Sequence, residues 1–137
     1  GGGMWFRLLA DDGYLPSFES DLRSCPNGLE LTDKYWMSSF AINVNLGYDD
    51  GNWQTSVPMT STHPSDTMLV MDSWGVFKTM WSTSLSVEKL LNDDEQKRIA
   101  RHNNKANVTF IDGHVSAVGS TFLLSTNAGG NDFWVPL

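Results

Sequence analysis

An Asp-Gly pair at 112–113, set between two runs that alternate apolar and polar residues, constrains this chain more than any other feature. The stretch runs from Arg101 and His102 through Val108-Thr109-Phe110-Ile111 to Asp112-Gly113, then His114-Val115-Ser116-Ala117-Val118. Asp-Gly is the strongest short-range signal for a two-residue hairpin turn, because both residues tolerate positive φ. A turn of that length pairs 107–111 with 114–118. It sets Ile111 opposite His114, Phe110 opposite Val115, Thr109 opposite Ser116 and Val108 opposite Ala117. Strand side chains alternate faces, so Val108, Phe110, Val115 and Ala117 make one apolar face. Phe110 and Val115 are therefore expected to be buried. His102 stands where the chain enters the hairpin. A structural role is expected for it, hydrogen bonding to backbone or to a nearby side chain, since a buried imidazole needs a partner.

A chain of 137 residues is one domain, and its 40% hydrophobic content is enough for a folded core. The domain is taken as 4–137, with Gly1-Gly2-Gly3 read as an artificial lead. The formal charge of −7 and a pI near 4.6 argue against a nucleic-acid partner, which would require clustered Lys and Arg. Lys89, Lys97, Arg98, Arg101 and Lys105 are interrupted by Asp93, Asp94 and Glu95, the pattern of a solvated helix face. The single cysteine, Cys25, has no internal disulfide partner and is expected to be buried.

Met4 to Ala10 is helix-friendly and is stopped by Asp11-Asp12-Gly13, with Trp5, Leu8 and Leu9 facing a sheet. Residues 13–34 are mainly loop. A strand is expected within 35–46, through Phe40, Ile42 and Val44, and another over Met68 to Met71. Ser86 to Ala100 reads as a helix, with Ser86 as cap and Val87, Leu90 and Leu91 as its apolar stripe. Phe133-Trp134-Val135 reads as a last edge strand. Few helices and several short strands give an α+β fold, a helix packed on an antiparallel sheet.

The same landmarks, in this order, resemble a known family. Ala10-Asp11-Asp12-Gly13-Tyr14-Leu15-Pro16, Cys25-Pro26, Tyr35 to Asn43, His63-Pro64-Ser65-Asp66-Thr67 running on to Asp72-Ser73, and His102 separated by nine residues from Asp112-Gly113 are similar to the prepilin-type, processing-associated proteins. These form a pseudopilin-like group whose signature is a histidine, nine residues and Asp-Gly, usually followed by His-Val. The resemblance spans roughly residues 10–118. It implies a pseudopilin-like head, in which an N-terminal helix, truncated here, packs on an antiparallel β-sheet. In that reading His102, Asp112, Gly113 and His114 are structural motif residues. The implied role is non-enzymatic, as a subunit of a type II secretion-like or type IV pilus-like assembly. Its partners would be other pseudopilin-like subunits or the secretion machinery. The protein would be exported, anchored in the inner membrane or displayed at the cell surface, and would meet membrane only through its N-terminal helix. The triglycine is read as replacing that helix, since no apolar run here approaches the length that spans a bilayer.

His102, Asp112 and His114, with Asp72 in a neighbouring strand, are residue types that bind zinc. Asp112 at a turn tip has an ordinary structural use, however, so no metal is expected there. Asn127 to Asp132 offers oxygens and glycines, which makes calcium held near Asp132 a secondary reading; no other cofactor is expected. No Gly-x-Ser-x-Gly elbow is present, and Cys25 has no base visible in the sequence. Trp5, Trp36, Trp53, Trp74, Trp81 and Trp134 are expected to be mostly core. Trp53 and Trp81 lie in polar surroundings. They supply the rival reading, an extracellular module that binds glycan or protein through exposed indoles.

Overall fold

The computed structural model describes residues 12–14, 25–27, 39–43, 45, 62–73, 79–80, 85–128 and 131–134. The expected helix at 4–10, with Trp5, Leu8 and Leu9, lies outside the described residues. Among the described residues no helix is long and apolar enough to cross a membrane. The elements are β1 (Phe40–Asn43), β2 (Met68–Asp72), β3 (Thr79–Met80), α1 (Val87–Leu90), β4 (Lys105–Phe110), β5 (Val115–Gly119) and α2 (Ser120–Ser125). They form an α+β fold around one sheet of order β3-β1-β2-β4-β5.

Four of these strands are antiparallel neighbours, as expected. The departure is β3, which joins the free edge of β1 in parallel. Topology accounts for this: β1 and β2 run in opposite directions, so a third strand that reverses again and returns to β1 runs alongside it in the same sense.

The hairpin forms, but one residue out of the expected register. Thr109 pairs with Val115, Val108 with Ser116, Asn107 with Ala117 and Ala106 with Val118. Phe110 N–H donates to His114 O at 2.9 Å, and Gly113 N–H donates to Phe110 O at 2.9 Å. The loop is thus three residues, Ile111 to Gly113, with only Gly113 at positive φ (91°). Such a loop ends in a left-handed residue that bulges the second strand, a place where glycine carries no Cβ penalty. Contacts outside the hairpin hold it there, since Ile111 N–H donates to Thr67 O at 3.0 Å and Asp112 N–H to Pro64 O at 3.1 Å. A slip of one residue exchanges the faces of a strand. Phe110 is buried as expected, whereas Val115 is 65% exposed, contrary to the two-residue reading. His114 takes the place expected of Val115, stacking on Phe110 with centroids 4.3 Å apart.

The core is built from Ala41 of β1, Met68 and Met71 of β2, and Ala106, Val108 and Phe110 of β4. Leu85, Leu90, Ile99, Ala100, Leu123, Phe133 and Trp134 cover them. A bulge between Met68 and Val70 lets two methionines three residues apart reach the same side. In β1 the buried positions are Ala41 and Asn43, and Phe40 and Ile42 are only half-buried. Val44 is outside the described residues. Asn43 is a buried amide with its donors used, since Nδ2 gives hydrogen bonds to Met68 O at 2.9 Å and to Trp134 O at 3.0 Å.

The expected 86–100 helix is a single α turn, Val87–Leu90, followed by a separate 3-10 turn at Glu95–Lys97. Ser86 caps it, its Oγ accepting from Lys89 N–H at 3.2 Å. Beyond Leu91 the side chain of Asn92 accepts from Asp94 N–H at 3.0 Å, and that of Asp94 from Gln96 N–H at 3.1 Å. Asn and Asp compete in this way with the helix ladder. The chain then folds back, and Ile99 and Ala100 N–H donate to Lys89 O and Leu90 O. Val87, assigned to the apolar stripe, is exposed, while Leu90 is buried. Residues 131–134 are likewise a turn, not an edge strand. Phe133 and Trp134 plug the core from there, and Val135 lies outside the described residues.

Candidate functional site

The most unusual chemistry in the described residues surrounds Asp72, at the end of β2. Its carboxylate is fully buried. Oδ2 accepts the backbone N–H of Asn107 at 2.7 Å. Arg101, whose side chain is 1% exposed, places Nη1 3.7 Å from Oδ1. The guanidinium also donates from Nε to Arg98 O at 2.9 Å and from Nη2 to Ser73 O. Asp72 Oδ1 and Arg101 Nη1 make no hydrogen bond among the described residues, so their attraction is coulombic at a separation beyond bonding distance. Burial pushes the Asp72 carboxyl above the ordinary carboxylate range, against the opposing pull of the Asn107 N–H, Arg101 and His102.

His102 enters this site through a turn that the sequence reading missed. Its N–H and carbonyl exchange hydrogen bonds with Lys105 at 3.1 Å each, around Asn103 (φ 54°) and Asn104 (φ 60°). Two consecutive positive-φ residues define the tight turn that Asn-Asn favours, and that pair was the available signal. The turn holds His102 against the start of β4. There Nε2 lies 3.4 Å from Asp72 Oδ2 and 3.9 Å from Cys25 Sγ. Cys25 is buried as expected, and the histidine absent from its sequence neighbourhood comes from 77 positions away. The sulfur and the carboxylate address the same ring nitrogen. This differs from a nucleophile–His–acid relay, where the acid holds the other nitrogen.

The remaining sequence candidates do not join this cluster. His102 and Asp112 stand at opposite ends of β4, about 20 Å apart at the usual strand rise. Asp112 pairs instead with His114, Nδ1 to Oδ1 at 2.5 Å on the exposed hairpin tip. Asp112 Oδ1 also accepts the His114 N–H at 3.1 Å. These bonds hold the Asp112 carboxyl below its usual range. In a His114→Ala chain the Asp112 titration should move upward toward the ordinary aspartate range, as read from its carboxyl carbon by NMR. An unmoved midpoint would mean that the pair does not exist in solution. The sign is that of a depressed acid: the interaction is complete above the ordinary range and is lost as pH falls through the lowered midpoint.

Asp132 lies near His63, with Nε2 and Oδ2 3.9 Å apart, and Asp66 completes an exposed group whose donor atoms fall within 4.8 Å of one another. Asp66 and Asp132 of this group line an open groove of about 630 Å³ that includes Phe110, Val118, Phe122 and Phe133. The glycines of the calcium reading, Gly129 and Gly130, lie outside the described residues, as do Trp53 and Trp81. No protein-family model, no curated protein and no solved structure matches this chain.

Proposed function

We propose that this chain is the globular head of a pseudopilin-like subunit, a non-enzymatic component of a type II secretion-like or type IV pilus-like assembly. In this reading the full-length protein carries an N-terminal apolar helix that anchors it in the membrane, and the head is exported. The supporting observation is where the family-like landmarks lie in the fold. Cys25 of the Cys-Pro element, Asp72 of the block beginning at His63, and His102 of the His–Asp-Gly signature meet around one imidazole nitrogen. The Asp-Gly end of that signature is tied to Pro64 and Thr67 of the same block. Residues far apart in sequence thus meet in the fold.

The glycan-binding rival draws no comparable support. It rests on Trp53 and Trp81, both outside the described residues, while Trp134 is buried in the core. In the assembly reading, the exposed Val115 and Phe122 belong to the surface that neighbouring subunits or secretion components would cover. The reading is tested by fractionating cells that make the protein as its gene encodes it. The protein should sediment with membranes, resist salt extraction and dissolve in detergent, with its head open to protease from outside the cytoplasm. A protein that stays in the cytoplasmic soluble fraction would overturn it.

A further inference from the structure

We infer that Cys25, Asp72 and His102 form a zinc site, a property distinct from the assembly role although both are argued from the same meeting of residues. Three residues from three distant segments present three different donors to one point: a sulfur, an imidazole nitrogen and a carboxylate oxygen. All of these donor atoms lie within 4.8 Å of one another. Two of the three spacings approach the edges of a coordination tetrahedron. Zinc bonds of about 2.3 Å to sulfur, about 2.0–2.1 Å to nitrogen and about 2.0–2.2 Å to oxygen imply edges of about 3.5 Å for S···N and about 3.3 Å for N···O. The observed separations are 3.9 Å from Cys25 Sγ to His102 Nε2 and 3.4 Å from His102 Nε2 to Asp72 Oδ2. Contraction by a few tenths of an ångström about a metal ion closes these two edges, and the third, from Cys25 Sγ to the Asp72 carboxylate, lies within 4.8 Å.

The shared nitrogen strengthens the inference. Nε2 carries either one proton or one lone pair, so it cannot serve the sulfur and the carboxylate with two full hydrogen bonds. A cation among the three satisfies all of them at once. The surroundings suit such an ion: Asp72 and Cys25 are buried, and the His102 side chain is 29% exposed, which leaves a way in. The Asn107 N–H on Oδ2 and Arg101 beside Oδ1 orient the carboxylate, as outer partners do around metal-bound acids. Arg101 also repels a dication, so the affinity should fall below that of an all-cysteine site. The donor set selects zinc over calcium or magnesium, which take oxygen ligands. Three protein ligands leave the fourth tetrahedral position to water or another small donor.

Cobalt(II) titration of the reduced full chain, followed by displacement with zinc chloride, tests the site. One cobalt per chain should bind, with a sulfur-to-cobalt charge-transfer band and the intense visible bands of four-coordinate cobalt, and zinc should abolish both. Cys25→Ser should remove the charge-transfer band. Cys25→Ser and His102→Ala should each weaken zinc binding by more than about 100-fold, since even outer partners are worth about 10–100-fold. His63→Ala, in the exposed group with Asp66 and Asp132, should change nothing. In the unsubstituted chain, where folding is not in question, zinc should slow alkylation of Cys25 by iodoacetamide. The inference is overturned by absence of metal binding, by bound cobalt lacking the sulfur band, by unaltered alkylation in zinc, or by binding lost in His63→Ala and kept in Cys25→Ser.

Discussion

Arg101→Ala should cost the fold about 3–5 kcal/mol at neutral pH, because it strips a fully buried carboxylate of its cation. Arg101 and Asp72 have side-chain exposures of 1% and 0%, so the acid left behind starts out of contact with water. The loss should depend on pH with a definite sign. Burial already holds the Asp72 carboxyl above the ordinary range, and removing Arg101 raises it further. A raised acid favours the folded state when protonated. Stability of the variant should therefore fall as pH rises from the ordinary carboxylate range through the raised one, and then level off. Urea unfolding at mildly acidic and neutral pH would show it. A loss below about 1 kcal/mol, or one equal at both pH values, would contradict the buried pairing. Replacing both partners, in Asp72→Asn with Arg101→Met, should recover much of the loss, since no uncompensated charge is then left behind.

Trp134→Ala should be comparably damaging, at about 3–5 kcal/mol. The indole is 1% exposed and packs edge-on against Phe133 at 5.3 Å. Its Nε1–H donates to Thr126 Oγ1 at 2.9 Å, and that hydroxyl donates to Leu123 O at 2.7 Å. The surrounding backbone binds the end of the described chain to the sheet. Met68 N–H donates to Phe133 O at 2.9 Å, and Thr67 Oγ1 to Asp132 O at 2.7 Å. The Trp134 carbonyl receives the side-chain amides of both Asn43 and Asn45. Deleting the ring opens a large cavity where these elements join. Trp134→Phe should cost less, keeping an aromatic ring but leaving Thr126 without its donor, a loss of about 1 kcal/mol for that bond. Equal stabilities for the alanine variant and the parent chain would show that the indole does not fill the core.

How far the fold was legible depended on how local each signal was. The hairpin was readable because Asp-Gly and the flanking alternation lie within about twelve residues. Its register was not, because loop length is fixed partly by Thr67 and Pro64, which no local pattern announces. The α1 helix was overextended because apolar spacing at Val87, Leu90 and Leu91 outweighed Asn92 and Asp94, whose side chains end it. At the site, His102 and the nearness of Asp72 were legible from the hairpin and the apolar run of β2. The link to Cys25 was not, since a cysteine in a loop carries no sign of which distant strand will meet it. Asn103-Asn104 was the overlooked local clue, a tight turn that aims His102 back across the start of β4. Asp112 and His114 were grouped with His102 by residue type, and the length of β4 separates them.

The proposed assembly role and the inferred zinc site share one structural premise, that the Cys25 thiol, the Asp72 carboxylate and the His102 imidazole meet at a single point. Proton NMR of the reduced, metal-free chain addresses this meeting directly. A nuclear Overhauser contact between the ring Hε1 of His102 and the β-protons of Cys25 is the expected result. A folded chain in which His102 shows contacts only to its sequence neighbours would contradict it.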